Sequence, residues 1–564
     1  MVLAVQVLFV YPNLYTQMGF NHGLASLSAV LREAGHGTSL CNLNENLPPV
    51  PSDEDLFQRI VGEAPGLVGF SCLTQQYPAA LALARFLRRR AQEQAVTLPP
   101  LVVGGIHPTM VPREVMADGV WDLVGVGECE DALLELVRRL EAGESTEELP
   151  NFLTWRGGRR PSLAEHESPP DSAIVQNSVG EFPDLERLPM PDYALFDTAR
   201  ITARKNGWFG VLSSRGCPYR CTYCLNHKLI DRYRADLKRP VPKLNFFRFR
   251  PEKLFIDELR HVVATYPEVG TFIFDDDLFT QNVEHALAIC RAYESSGIGL
   301  PFVVNSHVKQ LDERVAEALA RAGCRILKLG IESGSVRVRK EVLKRNMSDR
   351  DILETVKSAE RHGLHTSGFV MVGLPGETAE ERDQTVDLLA KSRIGRFRTS
   401  LFYPFPGTES FAMSVRGGYL DPDRAQALTD FTSSSCLSFG AEQDLAIDKL
   451  AAAMPWYVNA ALDRHGEAPA SARYRPWVQR IDAMNEKEWA EFRPRLKEVD
   501  AELAAESARA GELHYSIRFN DFMGVRSDFY LGEEQGIEWA TAAAKPVPER
   551  LAQLALLAAA NEVS

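Results

Sequence analysis

The sequence predicts an α/β chain: a doubly wound, Rossmann-like (flavodoxin-like) domain, then a partial six-unit β/α barrel, then a mainly helical C-terminal region. Three observations predict it. Strand-like apolar runs alternate with helix-like periodicity over residues 1–145. The same alternation resumes over 206–405. From 406 to 564 the chain turns Ala-rich and helical.

In the first region, Val5–Val10 reads as a buried strand, followed by a helix that puts Leu24, Leu27, Val30 and Leu31 on one face. TSLCNLN, LVGFSCL, PLVVGG and DLVGVG are further strands with helical patterns between them. Such alternation implies a parallel sheet covered on both faces, which binds ligands beyond the C-terminal ends of its strands. Residues 146–205 are rich in Pro, charged residues and Ser, lack periodicity, and read as a linker.

Six strands are expected in the barrel: Gly210–Ser214, Thr271–Asp275, Pro301–Asn305, Arg325–Ile331, Thr366–Val372 and Phe397–Phe402. Helical patterns such as Glu313–Ala322, Asp349–His362 and Ala379–Lys391 separate most of them. Polar or Gly-rich residues follow nearly every strand, on the face where a barrel collects its chemistry. The C-terminal region shows helices such as Ala446–Ala453 and Pro494–Ala510, interrupted by an aromatic run from His514 to Tyr530 that reads as core packing.

Bulk properties exclude several classes. Lys and Arg number 63 against 76 Asp and Glu, a net charge of -13 that argues against a nucleic-acid backbone as partner. No apolar run is long enough to span a bilayer, and the N-terminus lacks the basic start of a signal peptide. Nine cysteines, only three of them clustered, do not form a disulfide framework, so a reducing compartment and a cytoplasmic location are expected.

The cluster is the segment SSRGCPYRCTYCLNH, which places Cys217, Cys221 and Cys224 as C-x3-C-x2-C after the first barrel strand. Thiolates are soft ligands suited to iron–sulfur clusters, and three of them can hold three irons of a cubane while leaving the fourth open to substrate. Zinc is the alternative, with His227 as its fourth ligand.

C-x3-C-x-Tyr-C resembles the signature of the radical S-adenosylmethionine (SAM) superfamily, and the resemblance continues through LGIESGS and FVMVGLPGE over roughly 206–410. It implies a [4Fe–4S] cluster whose open iron chelates SAM, and reductive cleavage of SAM to a 5'-deoxyadenosyl radical, with Cys217, Cys221 and Cys224 as the ligands. It further implies that Tyr223, Asp276 and Asp277 lie at the SAM site. FDDD here replaces the common GGE. Asn305 and Ser306 match positions at the SAM carboxylate or ribose, Glu332 the ribose position, and Gly373 in VGLPGE the adenine turn.

In the first domain, Ser71 and Leu73 in S-x-L, then Gly104 and Gly105, resemble the later parts of a cobalamin-binding pattern. VVGGIHPTMVP and VGVGECE, with Gly127 and Glu128, resemble the N-terminal domain of cobalamin-dependent radical SAM proteins. Gln75, Gln76 and His107 could face that cofactor. D-x-H-x-x-G, whose His ligates cobalt in many cobalamin proteins, is missing, so the resemblance allows cobalamin without a His ligand or a domain that has lost it.

The resemblance therefore implies an enzyme that methylates an unactivated carbon of a small-molecule or natural-product substrate, with reduced flavodoxin or ferredoxin as electron donor. The alternatives are a radical SAM cyclase, rearrangement or other non-methylating enzyme with an empty cobalamin domain, and a non-catalytic cobalamin or SAM sensor. Cys41, Cys72, Cys290 and Cys324 read as core thiols, Cys129 as a loop residue and Cys436 as silent.

Overall fold

The structure, a computed structural model, describes residues 4–14, 18–161, 169–428, 434–466, 468–520 and 525–531. It divides into two compact units. One comprises Met1–Ile201, Cys224–Arg248 and Phe405–Thr408, the other Thr202–Tyr223, Phe249–Pro404 and Glu409–Ser564.

The first unit is built on a seven-stranded sheet. Its strands are β1 (Gln6–Tyr11), β2 (Gly37–Asn42), β3 (Leu67–Ser71), β4 (Leu101–Gly104), β5 (Leu123–Gly125), β6 (Phe152–Trp155) and β7 (Ile174–Gln176), in the order β2-β1-β3-β4-β5-β6-β7. The first five run parallel. This is the flavodoxin-like order, whose ligand crevice lies where the winding reverses, between β1 and β3. Both faces are buried, as a parallel sheet requires. Leu8 and Val10 of β1 pack in a core with Phe57, Leu87 and Trp121. Val7 and Phe9 pack in the opposite core with Leu24, Leu136 and Val137.

The stretch expected to be a linker is different. β6 and β7 both lie in it and extend the sheet antiparallel. Trp155 anchors the edge, fully buried with its indole N–H donated to the Trp121 carbonyl at 2.8 Å. Strands of three or four residues are too short to show periodicity, which is why the sequence reads as linker.

The second unit carries β8 (Trp208–Val211), β9 (Thr271–Phe274), β10 (Phe302–Ser306), β11 (Cys324–Glu332), β12 (His365–Val372) and β13 (Arg396–Leu401). They pair parallel in simple sequence order, the wall of a β/α barrel. The helices Glu313–Ala322, Asp349–Arg361 and Ala379–Ser392 fall where periodicity placed them. Along β11, Leu327, Leu329 and Ile331 are fully buried while the alternate Lys328 and Gly330 stay half-buried.

The wall does not end at β13. The strands β14 (Tyr515–Asn520) and β15 (Val525–Leu531) form an antiparallel hairpin, and β15 pairs antiparallel with β13. The aromatic run is thus largely sheet, with residues 521–524 outside the described residues. Between barrel and hairpin, the helices Ala441–Ala461, Ala470–Ala483 and Leu496–Arg509 enclose a core of Trp456, Tyr474, Ile481, Trp489 and Phe492. Among the described residues no helix is long and apolar enough to cross a membrane.

Candidate functional site

In the first unit, polar side chains gather past the C-terminal ends of β3 and β4. Ser71 ends β3 and accepts a hydrogen bond from the Asn21 amide at 3.1 Å. Leu73 and Gln75 follow it, half-buried, while Gln76 is buried and donates to the Asn13 side chain at 3.1 Å. Gly104 and Gly105 end β4. A Cβ on Gly104 would meet no atom within 4 Å, so the strand end is open there. Gly105 has φ +101, and a Cβ on it would lie 2.7 Å from the Cys72 carbonyl, so the turn admits only glycine. His107 packs against Tyr77, the rings tilted by 31° with centroids 4.4 Å apart, and lies 3.4 Å from the Thr74 hydroxyl. Burial pushes its imidazole down to about 4, so it is neutral at physiological pH.

Gly127 and Glu128 occupy a tighter setting. A Cβ on Gly127 would fall within 2.4 Å of the Tyr233 hydroxyl. Glu128 is held in a fork by Arg248, with one contact at 3.0 Å to Oε2 and a second to Oε1. Arg248 also donates to the Pro183 carbonyl at 2.9 Å and lies over the Phe182 ring, which stacks on Tyr233 at 3.7 Å.

In the second unit, the loop that follows β8 is pinned by three successive strand ends. Asp276, just past β9 and fully buried, accepts from the Ser213 amide at 3.2 Å, the Ser213 hydroxyl at 2.8 Å and the Ser214 hydroxyl. Burial outweighs those donors and pushes its carboxyl up to about 6. Asn305 on β10 donates to the Asp276 carbonyl at 2.8 Å. The Ser306 hydroxyl is bonded to Thr280 at 2.8 Å. His307 stacks on Tyr219 of the loop at 4.1 Å, nearly parallel. Thr222 donates to the Val342 carbonyl at 2.8 Å.

The third anchor is Glu332 at the end of β11, which accepts from the Tyr223 hydroxyl at 2.9 Å. Its φ of +67 is uncommon for a non-glycine residue and marks stored strain. Burial raises its carboxyl above the ordinary range. Gly330 makes room for it, since a Cβ there would lie 2.5 Å from Glu332 Oε1 and 3.0 Å from Arg345 Nη2. A π-helical turn, Val338–Val342, leads on to Arg345; such turns recur at functional sites.

Comparison with known proteins agrees with both halves. Residues 15–137 match the family model of the B12 binding domain, and residues 211–389 that of the Radical SAM superfamily. The chain joins a B12-binding domain to a radical SAM domain. An uncharacterized methyltransferase of Pyrococcus horikoshii is 26% identical over 401 residues, 71% of this chain and 79% of that protein. The cytidylyl-2-hydroxyethylphosphonate methyltransferase of Streptomyces wedmorensis is 23% identical, over 72% and 79% of the two chains. The fold is similar to that of the radical SAM methyltransferase TsrM of Kitasatospora setae, with TM-score 0.55, 20% identity and 73% and 75% coverage. It is also similar to that of OxsB, a cobalamin-dependent SAM radical enzyme, with TM-score 0.62, 13% identity, 100% of this chain and 81% of the other.

The radical SAM domain has the donor chemistry its cluster needs. Cys221 is buried and Cys217 and Cys224 are half-buried, all three thiols within one eight-residue segment. The B12-binding domain offers open space at Gly104, with Ser71, Gln75 and His107 half-buried at the same strand ends, a polar lip of the kind a polar ligand needs. The structure brings Tyr223 and Glu332 into one hydrogen-bonded pair, and links Asp276 to Asn305. Asp277 lies beside them in sequence but is exposed. Gly373, with φ +77, donates its amide to Glu377 Oε2 at 2.9 Å. The sequence reading missed Arg345, whose guanidinium reaches Cys221 Sγ at 3.5 Å and the Tyr223 hydroxyl at 3.3 Å. One arginine in a polar loop gives no signal of that kind.

Proposed function

We propose that this chain is an enzyme that methylates an unactivated carbon of a small-molecule substrate, using a [4Fe–4S] cluster, SAM and cobalamin. One observation carries the reading: a flavodoxin-like B12-binding sheet and a radical SAM barrel with a pinned cysteine loop occur in one chain. The methyltransferase names of the relatives support it. When bound, the cluster supplies one-electron cleavage of SAM, and cobalamin supplies methyl transfer.

The chain's own residues bind and orient. Cys217, Cys221 and Cys224 hold the cluster. Glu332, Asp277 and Gly373 are the groups we assign to SAM directly, with a buried carboxylate at Glu332 suited to accept from ribose hydroxyls. Asp276, Asn305, Ser306 and Tyr223 hold the loop and strand ends in register. Ser71, Leu73, Gln75, Gly104, Gly105 and His107 line the cobalamin lip, and Gly127 and Glu128 keep that end of the sheet rigid. Reduced flavodoxin or ferredoxin, in the cytoplasm, is the electron donor we expect.

Anaerobic reconstitution with iron, sulfide and hydroxocobalamin tests this. About four irons and one cobalt per chain, with deoxyadenosine released from SAM, are expected. Iron without cobalt would favour a non-methylating radical enzyme. Cys217→Ala, Cys221→Ala and Cys224→Ala together should abolish iron binding and deoxyadenosine formation; turnover surviving in that variant would end the proposal.

A further inference from the structure

Arg345 is a buried cation with no hydrogen-bonded carboxylate among the described residues. Its side chain is 10% exposed and its nearest carboxylate oxygen, on Glu332, is 3.9 Å away. Nη2 donates to the Gly330 carbonyl at 2.7 Å. Nη1 is shared between the Tyr223 hydroxyl at 3.3 Å and Cys221 Sγ at 3.5 Å. Nε is buried with no hydrogen-bond partner among the described residues. A guanidinium can rarely be neutralised by losing its proton, so burying one in this way is costly unless an anion completes its surroundings.

Beside the Tyr223 hydroxyl and the Glu332 carboxylate, it reaches the sulfur of a cluster ligand. Iron-bound cysteine sulfur is anionic, and the cluster gains a further negative charge when it takes up an electron. A positive donor held against one of those sulfurs therefore favours the reduced state over the oxidised one. Hydrogen bonds to the sulfurs and buried charge are the protein's main means of setting cluster potential.

We propose that Arg345, positioned by Glu332, Tyr223 and the Gly330 carbonyl, is the outer-sphere partner of Cys221 that raises the reduction potential of the cluster. It is a positioning residue for electron entry, and the inference rests on the radical SAM reading above. Gly330 belongs to the device, because a side chain there would collide with Glu332 and crowd Arg345.

The test is a potentiometric titration of the full-length, reconstituted protein without SAM, following the paramagnetic signal of the reduced cluster. Omitting SAM separates an effect on the cluster from any contact with the substrate. Arg345→Gln, at wild-type iron and sulfide content, should lower the reduced-to-oxidised ratio at the wild-type midpoint about tenfold, which for one electron is about 59 mV. Arg345→Lys keeps the charge but loses the planar fork, and should shift the titration less in the same direction. A titration of Arg345→Gln that superimposes on wild type would overturn the proposal. If Arg345→Gln fails to load iron, Arg345→Lys decides, a lowered midpoint supporting the proposal and an unchanged one sinking it. Wild-type protein that takes up no iron would instead remove the underlying reading.

Discussion

Two Glu–Arg pairs, Glu128–Arg248 in the first unit and Glu332–Arg345 in the second, are built differently. Glu128 and Arg248 meet in a two-point fork, and Arg248 fills its remaining capacity with the Pro183 carbonyl and the Phe182 ring. Glu332 and Arg345 stand 3.9 Å apart, the glutamate on a strained backbone and the arginine divided between a tyrosine, a carbonyl and a cysteine sulfur. The first pair is complete within the protein. The second is incomplete, and incompleteness in a buried network is what a ligand site looks like before its ligand is considered.

The comparison breaks most visibly at Arg248. Arg248→Met should leave Glu128 as a carboxylate without its guanidinium and cost about 3 kcal/mol in denaturant unfolding of the first unit, since removing one partner of a buried pair is far worse than removing both. The double variant Glu128→Gln, Arg248→Met should recover part of that loss. Arg248→Met as stable as wild type would show that the fork is not structural.

A third buried carboxylate sharpens the contrast. Glu377 accepts from the Gly373 and Leu374 amides at 2.9 and 3.3 Å, and its Oε1 is buried with no partner among the described residues. Burial pushes its carboxyl up to about 7. Between the unfolded value of 4.5 and about 7 the folded state keeps a proton that the unfolded state has lost. Stability therefore falls as pH rises through that window and is flat above it. Glu377→Gln keeps the acceptor and cannot ionise, so it should match wild type near pH 4 and exceed it at pH 8 by on the order of 3 kcal/mol. Parallel pH profiles for the two proteins would contradict the assignment.

Much of this could be read from the sequence, and the exceptions share a cause. The parallel strands were legible because they are apolar on both faces or alternate cleanly, and the cysteine triad stood out because its three members lie within eight residues. Ser71, Gly104 and Glu332 were singled out as strand ends, and strand ends are where the structure has them. The edge strands β6 and β7 were not, being too short for a period to show. Arg345 was not, because its partners come from β11 and the loop after β8, and nothing local distinguishes it from the neighbouring Lys344. The work of Asp276 was hidden in the same way: a carboxylate after a strand suggests a ligand, whereas its oxygens are engaged by Ser213 and Ser214.

Gly330 tests the strained pair without touching its charges. Gly330→Ala places a methyl group 2.5 Å from Glu332 Oε1 and 3.0 Å from Arg345 Nη2, so Glu332 must shift while Arg345 is crowded. Overpacking of this kind costs about 1 to 3 kcal/mol, and SAM affinity should fall with it in the reconstituted protein. Unchanged SAM affinity together with lost stability would make the pair structural, like the one at Glu128.

The smallest effect is expected at the open lip of the first unit. His107 is packed against Tyr77 and neutral, its imidazole pushed down to about 4 by burial. The folded state therefore resists protonation that the unfolded chain accepts, and stability falls as pH drops from the unfolded value of 6.5 toward about 4. His107→Phe keeps a ring against Tyr77, so at pH 8 it should change stability by no more than about 1 kcal/mol. At pH 5 the same substitution should be the more stable of the two. If cobalamin uptake also falls in this variant while the fold at pH 8 is intact, His107 faces the ligand. If uptake is untouched, the histidine serves its packing against Tyr77, and the lip is read by Ser71, Gln75 and the open backbone at Gly104.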